Sequence, residues 1–185
     1  MKTKNLILVA LFTALTAVGA FIRIPVPVVP FTLQFLFTML AGLLLGGTLG
    51  ATSVLVYIIL GLLGLPVFTS GGGIGYIFQP TFGYIIGFCI AAYVTGKIAN
   101  KTENPSYKRL LAANLIGLLI VYAAGMLYYW AISTFYLGTG IGLWTLFLYC
   151  FVLAVPGDIL LCVVAAVLAK RLIPILRGRF GSITA

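Results

Sequence analysis

A single carboxylate stands where chemistry is hardest to place. Asp158 lies in Val155-Pro156-Gly157-Asp158, and the only other acidic residue in the chain is Glu103. A mechanism built on paired carboxylates therefore has no second member to recruit. The sequence holds no histidine, which removes Ser-His machinery and histidine-ligated metal sites. Cys89, Cys150 and Cys162 sit in apolar segments without C-x-x-C spacing, and they read as small packing residues. There is no G-x-x-x-x-G-K-S/T phosphate loop, so the chain cannot hydrolyse ATP by itself. These absences imply no metal, no cofactor and no enzyme, and they leave Asp158 as the residue to explain.

The elements that must position Asp158 follow from composition. Of 185 residues, 63% are hydrophobic and 7% charged, against roughly 25% charged in soluble domains. So little charge cannot clothe a globule in water, and lipid must be the solvent for much of the surface. Between Arg23 and Lys97 there are 73 consecutive residues without Asp, Glu, Lys or Arg, and between Arg109 and Asp158 another 48. A spanning helix needs about 20 apolar residues. Breaks at glycine and proline divide the chain into six spans, at 5–22, 33–50, 51–66, 80–98, 109–133 and 143–172. The third is short, either tilted or partly re-entrant. Pro25, Pro27 and Pro30 predict an extended or kinked first connection. The expectation is one all-α integral membrane domain over 1–185 with six transmembrane helices.

Charge sets the orientation. With the N-terminus inside, the cytoplasmic segments collect Lys2 and Lys4; Lys97, Lys101, Lys108 and Arg109; and Lys170, Arg171, Arg177 and Arg179. That is 10 of the 11 basic residues, and the outer side keeps only Arg23. Six spans with both termini cytoplasmic satisfy the positive-inside rule. The net charge of +9 is then a topology signal and an attraction to anionic membrane lipid, not a nucleic-acid footprint. Lys2 and Lys4 before an apolar run also fit a secretory leader. Removing that segment would strand the charge pattern, so it reads as a retained first helix. Residues Ser182 to Ala185 read as a disordered end.

Twelve residues separate Asp158 from Lys170, about 18 Å along a helix, which puts the carboxylate near mid-membrane. An ionisable group there costs on the order of 3 kcal/mol and faces the bundle interior with a partner. Ala154, Cys162, Ala165 and Ala169 make a small-residue stripe on the same face. Two roles stay open: capping a half-helix restarted after Pro156-Gly157, or contacting a ligand. Gly71, Gly72 and Gly73, on the outer side, let backbone approach a ligand or simply make a flexible turn. Tyr76, Gln79 and Tyr84 add polar handles there. Tyr122 and Tyr129 share a face of the fifth helix, while Tyr128, Trp130 and Trp144 read as an interfacial aromatic belt. Ala10-x-x-x-Ala14 permits close helix packing, within the chain or against a partner.

Taken in order, Ile24-Pro-Val-Pro-Val-Val-Pro-Phe-Thr-Leu-Gln34, Gly64-Leu-Pro-Val-Phe68, Pro80-Thr-Phe-Gly-Tyr-Ile-Ile-Gly-Phe88 and Pro156-Gly-Asp158 resemble the BioY family across nearly the whole chain. BioY proteins are biotin-binding S components of energy-coupling factor (ECF) transporters in prokaryotic cell membranes. The resemblance implies a vitamin-uptake subunit with biotin as transported ligand. It also implies a transmembrane T component and two ATPase subunits as partners, with Ala10 and Ala14 facing the T component. By position, Asp158 would accept hydrogen bonds from the ureido nitrogens, and Gln34 and the glycine loop would line the pocket, the loop as a lid. The family pattern continues Pro-Gly-Asp-x-x-Lys, and here that last position is Leu161. The phenylalanine of Pro80-Thr-Phe-Gly-Tyr84 replaces a family glycine, and Gln79 also stands where glycine is common. Arg23 would substitute as the carboxylate anchor, or the carboxylate would stay near solvent. The competing readings are an S component for another small ligand, such as a biotin analogue or lipoate, a stand-alone proton-coupled secondary transporter with Asp158 as its proton site, and a structural membrane scaffold.

Overall fold

Apolar runs in this chain become helices, and two of them, ending at Leu45 and Leu62, stop at or beside a glycine. The computed structural model describes residues 3–24, 31–140, 142–152 and 154–180. Helix α1 (Thr3–Phe21) leads into a two-stranded antiparallel pair, β1 (Arg23–Ile24) and β2 (Phe31–Thr32). Helices α2 (Gln34–Leu45) and α3 (Gly47–Leu62) follow, then a loop holding a 3₁₀ turn at Ile74–Phe78, then α4 (Phe82–Ala99) and α5 (Tyr107–Phe135). Short α6 (Leu143–Phe147) widens into π-type winding at Leu148–Val152 before α7 (Val155–Phe180). Four of these helices, α1, α4, α5 and α7, are long and apolar enough to cross a membrane; α2 and α3 are apolar but shorter. Pro25, Pro27, Pro30 and the terminal 182–185 lie outside the described residues.

Two span boundaries differ from the sequence expectation. The second and third spans do not meet at 50/51. The chain turns at Gly46, with φ 86° and ψ 170°, a left-handed conformation that glycine adopts without penalty. The expected sixth span, 143–172, is not one straight helix. Pro156 has no N–H to give and constrains Val155, so regular winding resumes only at α7, where a first-turn proline does no harm. The Tyr128 hydroxyl donates to the Ile77 carbonyl, tying α5 to the 3₁₀ turn, and Trp144 is exposed.

The core is centred on α2, which packs against α1, α3, α4 and α7 and is buried along most of its length. Glycines allow this crowding. A Cβ on Gly42 would sit 2.4 Å from the Ala92 carbonyl oxygen, and one on Gly96 would sit 2.4 Å from the Gly47 nitrogen. Helix backbones in lipid gain little from hydrophobic transfer, so such close approach supplies the packing energy. The small-residue stripe Ala154, Cys162, Ala165 and Ala169 is buried as expected. Cys162 is a buried free thiol and Cys89 a partly buried one.

One end of the bundle gathers the basic residues. Ser106 caps α5 by accepting from the Arg109 amide, Arg109 Nη1 donates to Thr102 at 2.8 Å, and Lys170 Nζ donates to Asn104 and to the Pro105 carbonyl. Arg23 stands at the opposite end of α1. A Gly96→Leu substitution is expected to cost about 3 kcal/mol or more, or to abolish folding. Gly75→Ala, with nothing within 4 Å of the added Cβ, is expected to stay within about 0.5 kcal/mol. Thermal unfolding in detergent compares the two.

Candidate functional site

At the end of the bundle that carries Arg23, α2, α4, α5 and the start of α7 leave a cavity open at its mouth. Its wall is aromatic and aliphatic: Phe31, Phe35, Phe88, Val121 and Ala154. Its polar groups are Thr32, Thr69, Thr81, Tyr84, Tyr122 and Asp158. An apolar pocket with a few convergent polar groups is the usual form of a small-molecule site.

Asp158 is built into this cavity by the break before α7. It occupies the first turn of that helix, where a negative charge faces the positive end of the helix dipole. Tyr122 of α5 donates its hydroxyl to Asp158 Oδ2 at 2.5 Å. The carboxylate is 9% exposed. It retains acceptor capacity beyond that single bond, since an ionised carboxylate offers about four lone-pair sites. No lysine or arginine is among the described lining residues. Leu161, one turn further on, is buried and does not border the cavity among those residues.

Tyrosine rings hold the geometry. Tyr122 meets Tyr84 edge-to-face at 6.1 Å and Phe151 at 5.3 Å. Tyr84 lies on Gly125, where a Cβ would stand 2.4 Å from its ring. Gly157 serves Phe31 similarly, because a Cβ there would be 2.6 Å from the Phe31 ring. The Pro-Gly-Asp turn thus seats β2 beside the carboxylate.

The glycine-containing loop packs down and does not hang free. Phe68 is 1% exposed and packs between Tyr57, edge-to-face at 5.3 Å, and Tyr76, tilted at 4.5 Å. Gly73 donates to the Gly61 carbonyl at 2.7 Å, and Phe68 and Gly71 bond each other's backbone. Positive φ at Gly71 (117°) and Gly73 (103°) makes the reversal possible.

The structure brings only some of the sequence candidates together. Asp158, Tyr122 and Tyr84 border the cavity. Tyr76 stands one layer behind, its hydroxyl 2.9 Å from Thr69 Oγ1 and 3.5 Å from Thr81 Oγ1. Gln34 is buried beside Tyr57, with Nε2 lacking a well-formed hydrogen bond. Gly71, Gly72, Gly73 and the exposed Gln79 are in the loop and outside the described lining. Arg23 is exposed at the rim and donates to the Thr69 carbonyl at 2.7 Å. Ala10 and Ala14 are exposed on the outer face of α1, which removes the intramolecular packing reading. The threonines and phenylalanines of the wall carry no chemical signal of their own in the sequence. Phe31, Thr32, Thr81 and Phe88 stand inside the quoted motifs, which is their only signal.

The BioY family model matches residues 1–178. A protein of Lysinibacillus sphaericus named "Probable biotin transporter BioY" is 50% identical over 96% of this chain and 90% of its own length. "Biotin transporter BioY" of Rhizobium etli is 34% identical over 97% of this chain and all of its own. Among solved structures, the S-component for biotin from an ECF-type ABC transporter superposes with TM-score 0.79 at 29% identity, covering 92% of this chain and 91% of that one.

A double-mutant cycle tests the Tyr122–Asp158 bond directly. Tyr122→Phe in the native background is expected to lower stability by about 1.5–3 kcal/mol. In an Asp158→Asn background the same change is expected to cost much less, giving a coupling energy above about 1 kcal/mol. Additive losses in detergent unfolding would show that the two groups do not depend on each other.

Proposed function

Because this chain belongs to the BioY family, we propose that it is the substrate-binding S subunit of an ECF importer and that it captures biotin. The observation that carries this reading is the buried Asp158 carboxylate, held by Tyr122 within an aromatic cavity. A cyclic urea presents N–H donors that match the unused lone pairs of Asp158. Its apolar fused ring matches Phe35, Phe88 and Val121. Thr32, Thr69 and Thr81 supply further neutral partners. Tyr84 and Tyr122 flank the head group. Gln34, Tyr76, Gln79 and Gly71 to Gly73 act from the second layer, shaping the loop that closes the outer side.

The same proposal covers topology and partners. Six spans with cytoplasmic termini are supported by the gathering of Lys101, Arg109 and Lys170 at the end opposite Arg23. A chain without a phosphate loop needs ATP hydrolysis from elsewhere, so a T component and two ATPase subunits complete the importer. Exposed Ala10 and Ala14 offer a flat stripe on α1 for the T component. The protein is then a multi-pass component of a prokaryotic cell membrane, binding biotin as cargo and holding no cofactor.

Equilibrium binding of biotin to the purified protein in detergent, with desthiobiotin and lipoate as competitors, tests this reading. Saturable biotin binding, weakened about 100-fold or more in Asp158→Asn, is expected from loss of charge-assisted hydrogen bonds worth about 3 kcal/mol. A folded protein that ignores biotin but binds lipoate would transfer the site to another ligand. A variant that binds biotin normally yet loses only pH-driven uptake would favour the proton-coupled carrier.

A further inference from the structure

The cavity carries one formal charge in its described lining, the carboxylate of Asp158, and no cation. For the anionic end of a ligand, positive charge is available only at the mouth among the described residues. Arg23 is the one basic residue at this end of the bundle among the described residues. Its backbone is registered opposite Thr32 across the β1–β2 pair, and the adjacent Ile22 carbonyl accepts from Leu33 at 3.1 Å. Its Nη1 donates to the carbonyl of Thr69 at 2.7 Å. Thr32 and Thr69 both line the cavity, so Arg23 is tied to the rim twice, by its backbone beside Thr32 and by its guanidinium at Thr69. One N–H is used in that contact. A guanidinium has five donors in a planar fork, and the rest of the fork suits a carboxylate in bidentate geometry. The family lysine position is no rival here, because Leu161 packs into the bundle away from the cavity.

We infer that Arg23 is a specificity-determining residue that reads the anionic end of the ligand while Asp158 reads its donor head. The site is thereby polarised, acceptor within and cation at the rim, and it selects small acids over their neutral derivatives. This rests on the reading of the cavity as a biotin site.

The test is the ratio of dissociation constants for biotin amide and biotin, measured in the native protein, Arg23→Gln and Arg23→Lys. Glutamine keeps a donor for the Thr69 carbonyl but removes the charge. The native protein is expected to prefer the acid about tenfold or more, a difference of about 1.4 kcal/mol. Arg23→Gln is expected to bring the ratio near one by weakening biotin alone, with the amide bound as before. Arg23→Lys should fall between. Unchanged discrimination in Arg23→Gln, or equal loss of both ligands with unaltered thermal unfolding, would overturn the inference and leave Arg23 as a loop tether only. Failure of the native protein to bind either compound would instead remove the biotin reading, and this inference with it.

Discussion

A carboxylate buried in a lipid-embedded bundle must be answered by something, and here the answer is the Tyr122 hydroxyl at 2.5 Å from Asp158. Much of the ligand-facing architecture follows from that requirement. The π-type winding before Val155 and the proline at 156 end one helix and begin another, so that Asp158 falls in a first turn and not mid-helix. Helix α5 must then approach α7 closely enough for a phenol to reach across. Tyr122 in turn is braced by Tyr84 and Phe151, and Tyr84 is braced by the bare backbone of Gly125. A single hydroxyl donor leaves the carboxyl with acceptor sites unused.

Glycine does for the rest of the bundle what Tyr122 does for the site. Around Gly42, Gly47, Gly50 and Gly96, backbone atoms lie where side-chain carbons would otherwise stand. Short α2 is buried among its neighbours because of this seam. That burial is also what delivers Phe35, at its start, to the cavity wall. Packing deep in the bundle and the shape of the site are thus one problem. A bulky residue at the seam would displace α2 and with it the floor of the pocket.

The outer closure is ordered. Phe68 acts as a plug between Tyr57 and Tyr76, and the hydroxyl chain from Thr69 through Tyr76 to Thr81 links both ends of the loop. Arg23 joins this layer to the β1–β2 pair, and Phe31 joins the pair to the Pro-Gly-Asp turn through Gly157. The cavity mouth is therefore framed by contacts that can be exchanged without unfolding any helix. Such a frame suits the role proposed above, in which a ligand is admitted and later released.

Sequence alone determined the apolar character of this protein, the isolation of Asp158 and the grouping of its basic residues. Those properties are sums over local composition, and they survive whatever way the helices cross. Limits of α1, α4 and α5 were legible for the same reason, while the Gly46 turn was hidden inside one continuous apolar run. Tertiary structure decided which candidates meet. Tyr122 and Asp158 are 36 residues apart and Arg23 and Thr69 are 46 apart, and no periodicity in the sequence pairs them. It also moved Gly71 to Gly73 and Gln79 out of the wall and brought Thr32, Thr69 and Thr81 in. Crossing distances set by glycine contacts make that choice, because a cavity exists only where several separately coded helices fail to touch.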